Sequence, residues 1–196
     1  MARWWKSSAL PTLLLLVFAS PATADEPEAL WGLLRGGGQV VIMRHAITEP
    51  GVGDPPGFRL ENCATQRNLS DVGRRDARRI GEIFRSRGIP VGRVLSSRWC
   101  RCLETARRAF GTAEPWPALD SFFGDHSREP QQTKAVQQLV GERPGTGNLI
   151  LVTHQVNIRA LTGLFPAPGE MIILTPQGNG AFRVAGRLAA AARSAN

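Results

Sequence analysis

Continuous apolar runs and stretches of helical spacing alternate along this chain. Val40-Val41-Ile42-Met43 and Leu149-Ile150-Leu151-Val152 are rich in β-branched residues and carry no polar position. Such runs predict strands buried on both faces, the kind found inside parallel sheets. The first strand is predicted over 39–43, after a short amphipathic helix at 28–34 that Gly36-Gly37-Gly38 stops. The second is predicted over 148–152. Between them, Val72, Ala77, Ile80, Ile83 and Phe84 recur at helical spacing, with Ser70 placed to cap and Gly88 to terminate a helix over 71–87. A short strand at 93–95 and a helix at 99–109 follow. A loop with extended character near Trp116 occupies 111–125, and a helix 131–140. Beyond the second buried strand come a helix at 156–162 and two late strands at 171–174 and 181–184, joined by a Pro/Gly turn. The Ala-rich tail after Leu188 reads as frayed. Strands alternating with helices predict an α/β fold: a three-layer sandwich with a mostly parallel central sheet flanked by helices.

Residues 47–67 break this rhythm. Pro50, Gly51, Gly53, Pro55, Pro56 and Gly57 make them a long loop, and loops of that length in a compact domain are usually functional. The first 24 residues read differently again. Arg3 and Lys6 precede an apolar run over 9–19, and Ala22-Thr23-Ala24 supplies a small-x-small cleavage pattern. This is the layout of a secretory signal peptide over 1–24, leaving one domain over 25–196 in the periplasm or beyond it. The run is short for a bilayer span, and retention as an anchor is the alternative. No other segment is apolar enough to insert stably in a membrane.

The 196 residues suffice for one domain with a proper core. The net charge is +8, and only Lys6 and Lys134 among the basic residues are not Arg. Arg pairs bidentately with phosphate and carboxylate, so the surface suits anionic partners. Nucleic acid is not the expected one: the Arg residues are scattered, aromatic interleaving is absent and there is no Tyr. Three cysteines, Cys63, Cys100 and Cys102, fit an oxidising compartment with one pair closed and one thiol left over. On a helix Cys100 and Cys102 point to different sides, so only one of them should face Cys63. Their spacing does not suit zinc.

His45 follows the first buried strand with Arg44 between, and His154 follows the second with Thr153 between. If the strands are neighbours in a parallel sheet, both imidazoles rise from one edge, where ligands of open α/β sheets sit. Ser96-Ser97-Arg98-Trp99-Cys100-Arg101 adds basic residues at a strand-to-helix junction, where backbone N–H groups and a guanidinium make an anion site.

Arg44-His45-Ala46, then Ser96-Ser97-x-x-x-Arg101-x-x-x-Thr105-Ala106, then Thr153-His154 resemble the motifs of the histidine phosphatase superfamily, the phosphoglycerate-mutase-like proteins, over roughly 40–184. The resemblance implies that fold and a metal-free, cofactor-free phosphoryl transfer on a small phosphorylated substrate. His45 is the implied nucleophile, with Arg44, Arg101 and His154 holding the phosphate. Thr48, Arg59 and Arg98 are further contacts to consider. Three departures matter. Ala46 stands where Gly is usual, and Arg98 where Pro is frequent. The general acid is open: one branch places Asp after the second His, where this chain has Gln155. The other uses a Glu in a stretch here read as 119–125, which offers Asp120 and Asp125; Glu170 and His126 are further options. Similar exported proteins carry Cys at positions like 63 and 100, which implies a Cys63–Cys100 bridge with Cys102 reduced. The implied activity is an exported phosphomonoesterase, and relatives acting on lipopolysaccharide core heptose phosphate point to an envelope phosphosugar. The alternatives are a mutase, disfavoured by export, and a degenerate member that binds phosphorylated ligands without turnover.

Overall fold

The computed structural model describes Met1 and residues 26–189. All but the first residue of the signal sequence expected over 1–24, and the tail from 190 onward, lie outside the described residues. Helices α1 (Glu26–Arg35), α2 (Asp71–Ser86), α3 (Cys100–Phe110), α4 (Glu129–Gly141) and α5 (Gln155–Thr162) surround six strands. These are β1 (Val40–Arg44), β2 (Val91–Ser96), β3 (Glu114–Pro115), β4 (Asn148–Thr153), β5 (Met171–Gly178) and β6 (Ala181–Leu188). They form one mixed sheet in the order β3-β2-β4-β1-β5-β6. The first four in that order are parallel to one another, and β5 and β6 run antiparallel at one side.

The unbroken apolar runs have a simple cause, because helices cover both sheet faces. Val41, Met43, Ile150, Val152 and Ile173 point to one face and pack with Leu30, Leu34, Ile80, Phe84 and Ala106 from α1, α2 and α3. Their neighbours Val40, Ile42, Leu149, Leu151 and Ile172 point to the other and meet Val136, Val140 and Ile158 from α4 and α5. Burying each such side chain stabilises the fold by roughly 1.5–3 kcal/mol. Away from the site edge of the sheet, the Asn148 amide stitches three segments together. It accepts from Gln39 N (3.1 Å) and donates to Leu34 O and Pro90 O (both 2.8 Å).

The late strands extend well past their apolar cores, to Gly178 and Leu188. Hydrophobic pattern could not reveal this, since antiparallel backbone pairing carries Thr175 and Pro176 against Arg183 and Phe182 regardless of side chain. The loop at 47–67 has almost no regular structure of its own, only a 3-10 turn at Cys63–Thr65 and isolated bridges Thr48↔Leu69 and Arg59↔Asn62. Side chains order it instead. Gln66 donates to Leu60 O (2.8 Å) and Arg59 O (3.2 Å), and Arg67 donates to Gly53 O (2.8 Å).

α2 and α3 approach so closely that a Cβ on Gly81 would lie 1.9 Å from the carbonyl oxygen of Ala109. Gly81→Ala must therefore push the helices apart. A loss of about 1–3 kcal/mol is expected, read as a lowered urea midpoint without a changed slope.

Candidate functional site

β1 and β4 pair in parallel with Arg44 opposite Thr153, so the next residue of each strand leaves the sheet at the same point. His45 N donates to Thr153 O (2.9 Å), and the rings of His45 and His154 stand 5.5 Å apart at 68°. Arg101 enters from the first turn of α3. Arg44, His45, Arg101 and His154 line one pocket of about 700 Å³. The convergence expected from the two strand ends is therefore present.

His45 is held in one tautomer. Its Nδ1 lies 2.8 Å from the carbonyl oxygen of Ala46, which can only accept, so Nδ1 carries the proton and Nε2 keeps its lone pair. Nε2 makes no hydrogen bond among the described residues. Burial, followed by the positive charge of Arg101, pushes the His45 imidazole down to about 3, and Arg44 and Arg67 add to this. His154 is also held well below its ordinary value, first by burial and then by Arg101 and His45. Both rings are neutral at physiological pH. His154 Nε2 contacts Ser97 Oγ (2.8 Å) and Cys102 Sγ (3.5 Å), and Trp99 packs edge-on against its ring. Burial pushes the Cys102 thiol up to about 12, so it is no thiolate.

Two residues that pattern and motif did not single out complete the floor. Asp54 accepts from Arg101 Nη1 (2.7 Å) and Nη2 (3.1 Å), from Trp99 Nε1 (2.9 Å) and from Arg67 N (3.0 Å). These bonds hold its carboxylate below the ordinary range although burial opposes them. The Asp54 and Arg101 side chains are 8% and 4% exposed, so the pair is withdrawn from water. Arg67 lines the same pocket and is fixed by Thr48 Oγ1 and Gly53 O. Both come from the long loop, and Cys63 and Cys100 are disulfide-bonded, tying that loop to the helix that carries Arg101. Cys102 is free and buried.

The remaining sequence candidates are placed as follows. Asp120 is 1% exposed and does not line the pocket. Its oxygens accept from Arg98 N (2.9 Å), Arg98 Nε (2.8 Å) and, weakly, Ser97 Oγ (3.4 Å). Arg98 is thereby committed to Asp120 and does not line the pocket. Thr48 reaches the pocket only through Arg67. Asp125 lies at the pocket rim with Arg128 3.4 Å away, and bonds from Ser127 keep its carboxyl below the ordinary range. Glu170 is paired with Arg187 (2.6 Å), His126 with Glu129, and Arg59 is exposed; none of the three lines the pocket. The start of α3 is built differently from the expected backbone anion site. The amide of Trp99 donates to Ser97 Oγ and that of Cys100 to Gln66 Oε1 (3.0 Å). An anion placed here would meet mainly side chains. Arg44 Nε and Arg101 Nε are buried donors with no acceptor among the described residues. A buried unpaired donor is costly. Among the described residues, no three His, Cys, Asp or Glu side chains are placed to share one metal ion.

No family model and no curated protein matches the chain. Solved structures do. The protein histidine phosphatase SixA complexed with tungstate is 19% identical, with a TM-score of 0.58 over 77% of this chain and 96% of that one. A mycobacterial hydrolase is 16% identical, with a TM-score of 0.57 over 80% of this chain and 93% of that one. Mycobacterial glucosyl-3-phosphoglycerate phosphatase in complex with VO3 is 17% identical, with a TM-score of 0.53 over 74% of this chain and 96% of that one. At these identities the likeness is one of fold.

The His45 ring should stay neutral from pH 8 to pH 4, which ring nitrogen NMR reads directly; a transition near 6.5 contradicts the burial argument. The unfolded ring titrates near 6.5. The folded value is lower, so the stability is fully present above about pH 6.5 and is lost as the pH falls towards 3. Asp54→Ala strands a buried guanidinium and should cost about 3 kcal/mol in chemical denaturation.

Proposed function

We infer that this chain, which has the histidine phosphatase fold, is a phosphomonoesterase that passes the phosphoryl group through His45. The observation that carries the reading is a neutral imidazole with its Nε2 lone pair unengaged, in a pocket lined also by the guanidiniums of Arg44 and Arg101. Nε2 attacks phosphorus, the P–O bond to the alcohol breaks in line, and phosphohistidine forms. Water then attacks phosphorus, the P–N bond breaks, and inorganic phosphate leaves. Arg44 and Arg101, which line the pocket, meet the phosphoryl oxygens. Ser97 lies closer to His154 (2.8 Å) than to Asp120 (3.4 Å), which assigns its hydroxyl proton to His154 Nε2. His154 then carries its own proton on Nδ1, as a third donor to the phosphate.

Of the two acid candidates, we favour Asp125, because it borders the pocket whereas both oxygens of Asp120 are engaged by Arg98. Ser127 keeps Asp125 ionised, so only a small protonated fraction serves at neutral pH. Asp120 is then the partner of Arg98 and takes no part in proton transfer. We further propose that the protein is exported, which the signal-like residues 1–24 and the Cys63–Cys100 bridge support, and that its substrate is an envelope phosphosugar.

Hydrolysis of p-nitrophenyl phosphate should persist in chelator and fall at least 1000-fold in His45→Ala. Phosphate binding without turnover in the wild type would instead mark a degenerate binder. Asp125→Asn should slow an alkyl phosphate about 100-fold but p-nitrophenyl phosphate little, since a good leaving group needs no acid. The wild-type alkyl rate should also decline as pH rises. Equal effects on both substrates reject Asp125 as the acid.

A further inference from the structure

The pocket is polar at its floor and apolar at its mouth. Val52 and Phe123 are 87% and 55% exposed, yet both line it, one from each of two facing loops. The loops nearly meet: a Cβ on Gly53 would lie 3.7 Å from Phe123 Cε1. Gly53 has φ 69°, a left-handed conformation that suits glycine, so this approach is built into the backbone. Phe58, tilted against Trp99 with ring centroids 5.8 Å apart, and Val156 add to the apolar wall. A volume of about 700 Å³ is that of a small-molecule site and several times what a phosphate fills.

The charges of the pocket are nearly spent on one phosphate. Four guanidiniums, from Arg44, Arg67, Arg101 and Arg128, face two carboxylates, from Asp54 and Asp125. The net of two positive charges matches one phosphate dianion and leaves nothing over. Part of the donor set is already engaged within the protein. Both Nη atoms of Arg101 are held by Asp54, Arg67 is held by Thr48 and Gly53, and Arg128 donates to Ser121 O (2.9 Å) beside Asp125. Asp125 lines the same pocket as Phe123 and disfavours a second anion there.

We propose that the outer half of the pocket selects phosphomonoesters of a neutral alcohol with an apolar face of ring size, seated on Phe123, and discriminates against alcohols with a second anionic group. This rests on the phosphatase reading and narrows it. The hydrocarbon face of a neutral sugar ring fits the description. A phosphorylated hydroxy acid does not.

Calorimetric titration at pH 8 with three phosphonates tests this without turnover: methylphosphonate, benzylphosphonate and phosphonoacetate, which adds a carboxylate. Benzylphosphonate should bind about tenfold tighter than methylphosphonate, and phosphonoacetate no tighter than methylphosphonate. Phe123→Ala should reduce the benzyl preference to under twofold, and Phe123→Trp should restore it. Equal binding of the methyl and benzyl compounds, tightest binding of phosphonoacetate, or a preference intact in Phe123→Ala each overturns the inference. Turnover of p-nitrophenyl phosphate is scored separately. Selective binding without turnover sustains the inference and overturns the enzymatic reading, turnover without selectivity does the reverse, and no binding of any phosphonate overturns both.

Discussion

The parallel pairing of β1 with β4 is the constraint on which the site depends. Arg44 stands opposite Thr153, so two strands more than 100 residues apart in sequence end at the same level of the sheet. A parallel ladder slipped by one residue would turn every side chain to the opposite face. Here both faces are apolar, so the core alone tolerates such a slip poorly but does not name the register. The Asn148 amide, bonded to Gln39, Leu34 and Pro90, fixes it at the far end of the strands. The bond from His45 N to Thr153 O continues the ladder to the point where the two imidazoles leave it.

Around that edge the protein concentrates positive charge in a place water hardly reaches. Arg101 is as buried as His45; burial and this charge lower the affinity of His45 for protons and keep its Nε2 lone pair free. A buried guanidinium needs a partner, and Asp54 supplies it from a loop without strand or helix to hold it. The loop is held by the Cys63–Cys100 bridge, by Gln66 on its own carbonyls and by Arg67 on Gly53 and Thr48. Order in the loop and charge in the pocket are thus coupled: releasing Asp54 frees a cation that the fold cannot hydrate.

Asp120 illustrates how burial changes a role. In sequence it is one carboxylate among several near the expected acid. In the structure Arg98 grips it and it touches the pocket only through Ser97 and His154. Arg98 itself, a departure from the usual Pro, is explained by that grip and by no contact with the pocket. The two residues account for each other.

The layers, the two buried strands and the residues that follow them were readable from the chain, because burial on both faces forces unbroken apolar runs and helices betray themselves by period. It also contained Arg44, His45, Arg101 and His154 as recognisable motifs. Asp54, Arg67 and the apolar mouth around Phe123 were not legible. They lie in irregular loops, where no period constrains the residues and each position is set by a partner distant in sequence, such as Asp54 by Arg101. The lengths of β5 and β6 escaped for a related reason, since an antiparallel hairpin is held by backbone bonds that are blind to side chains. Folding sets these, because they depend on which surfaces meet and not on what any one segment prefers.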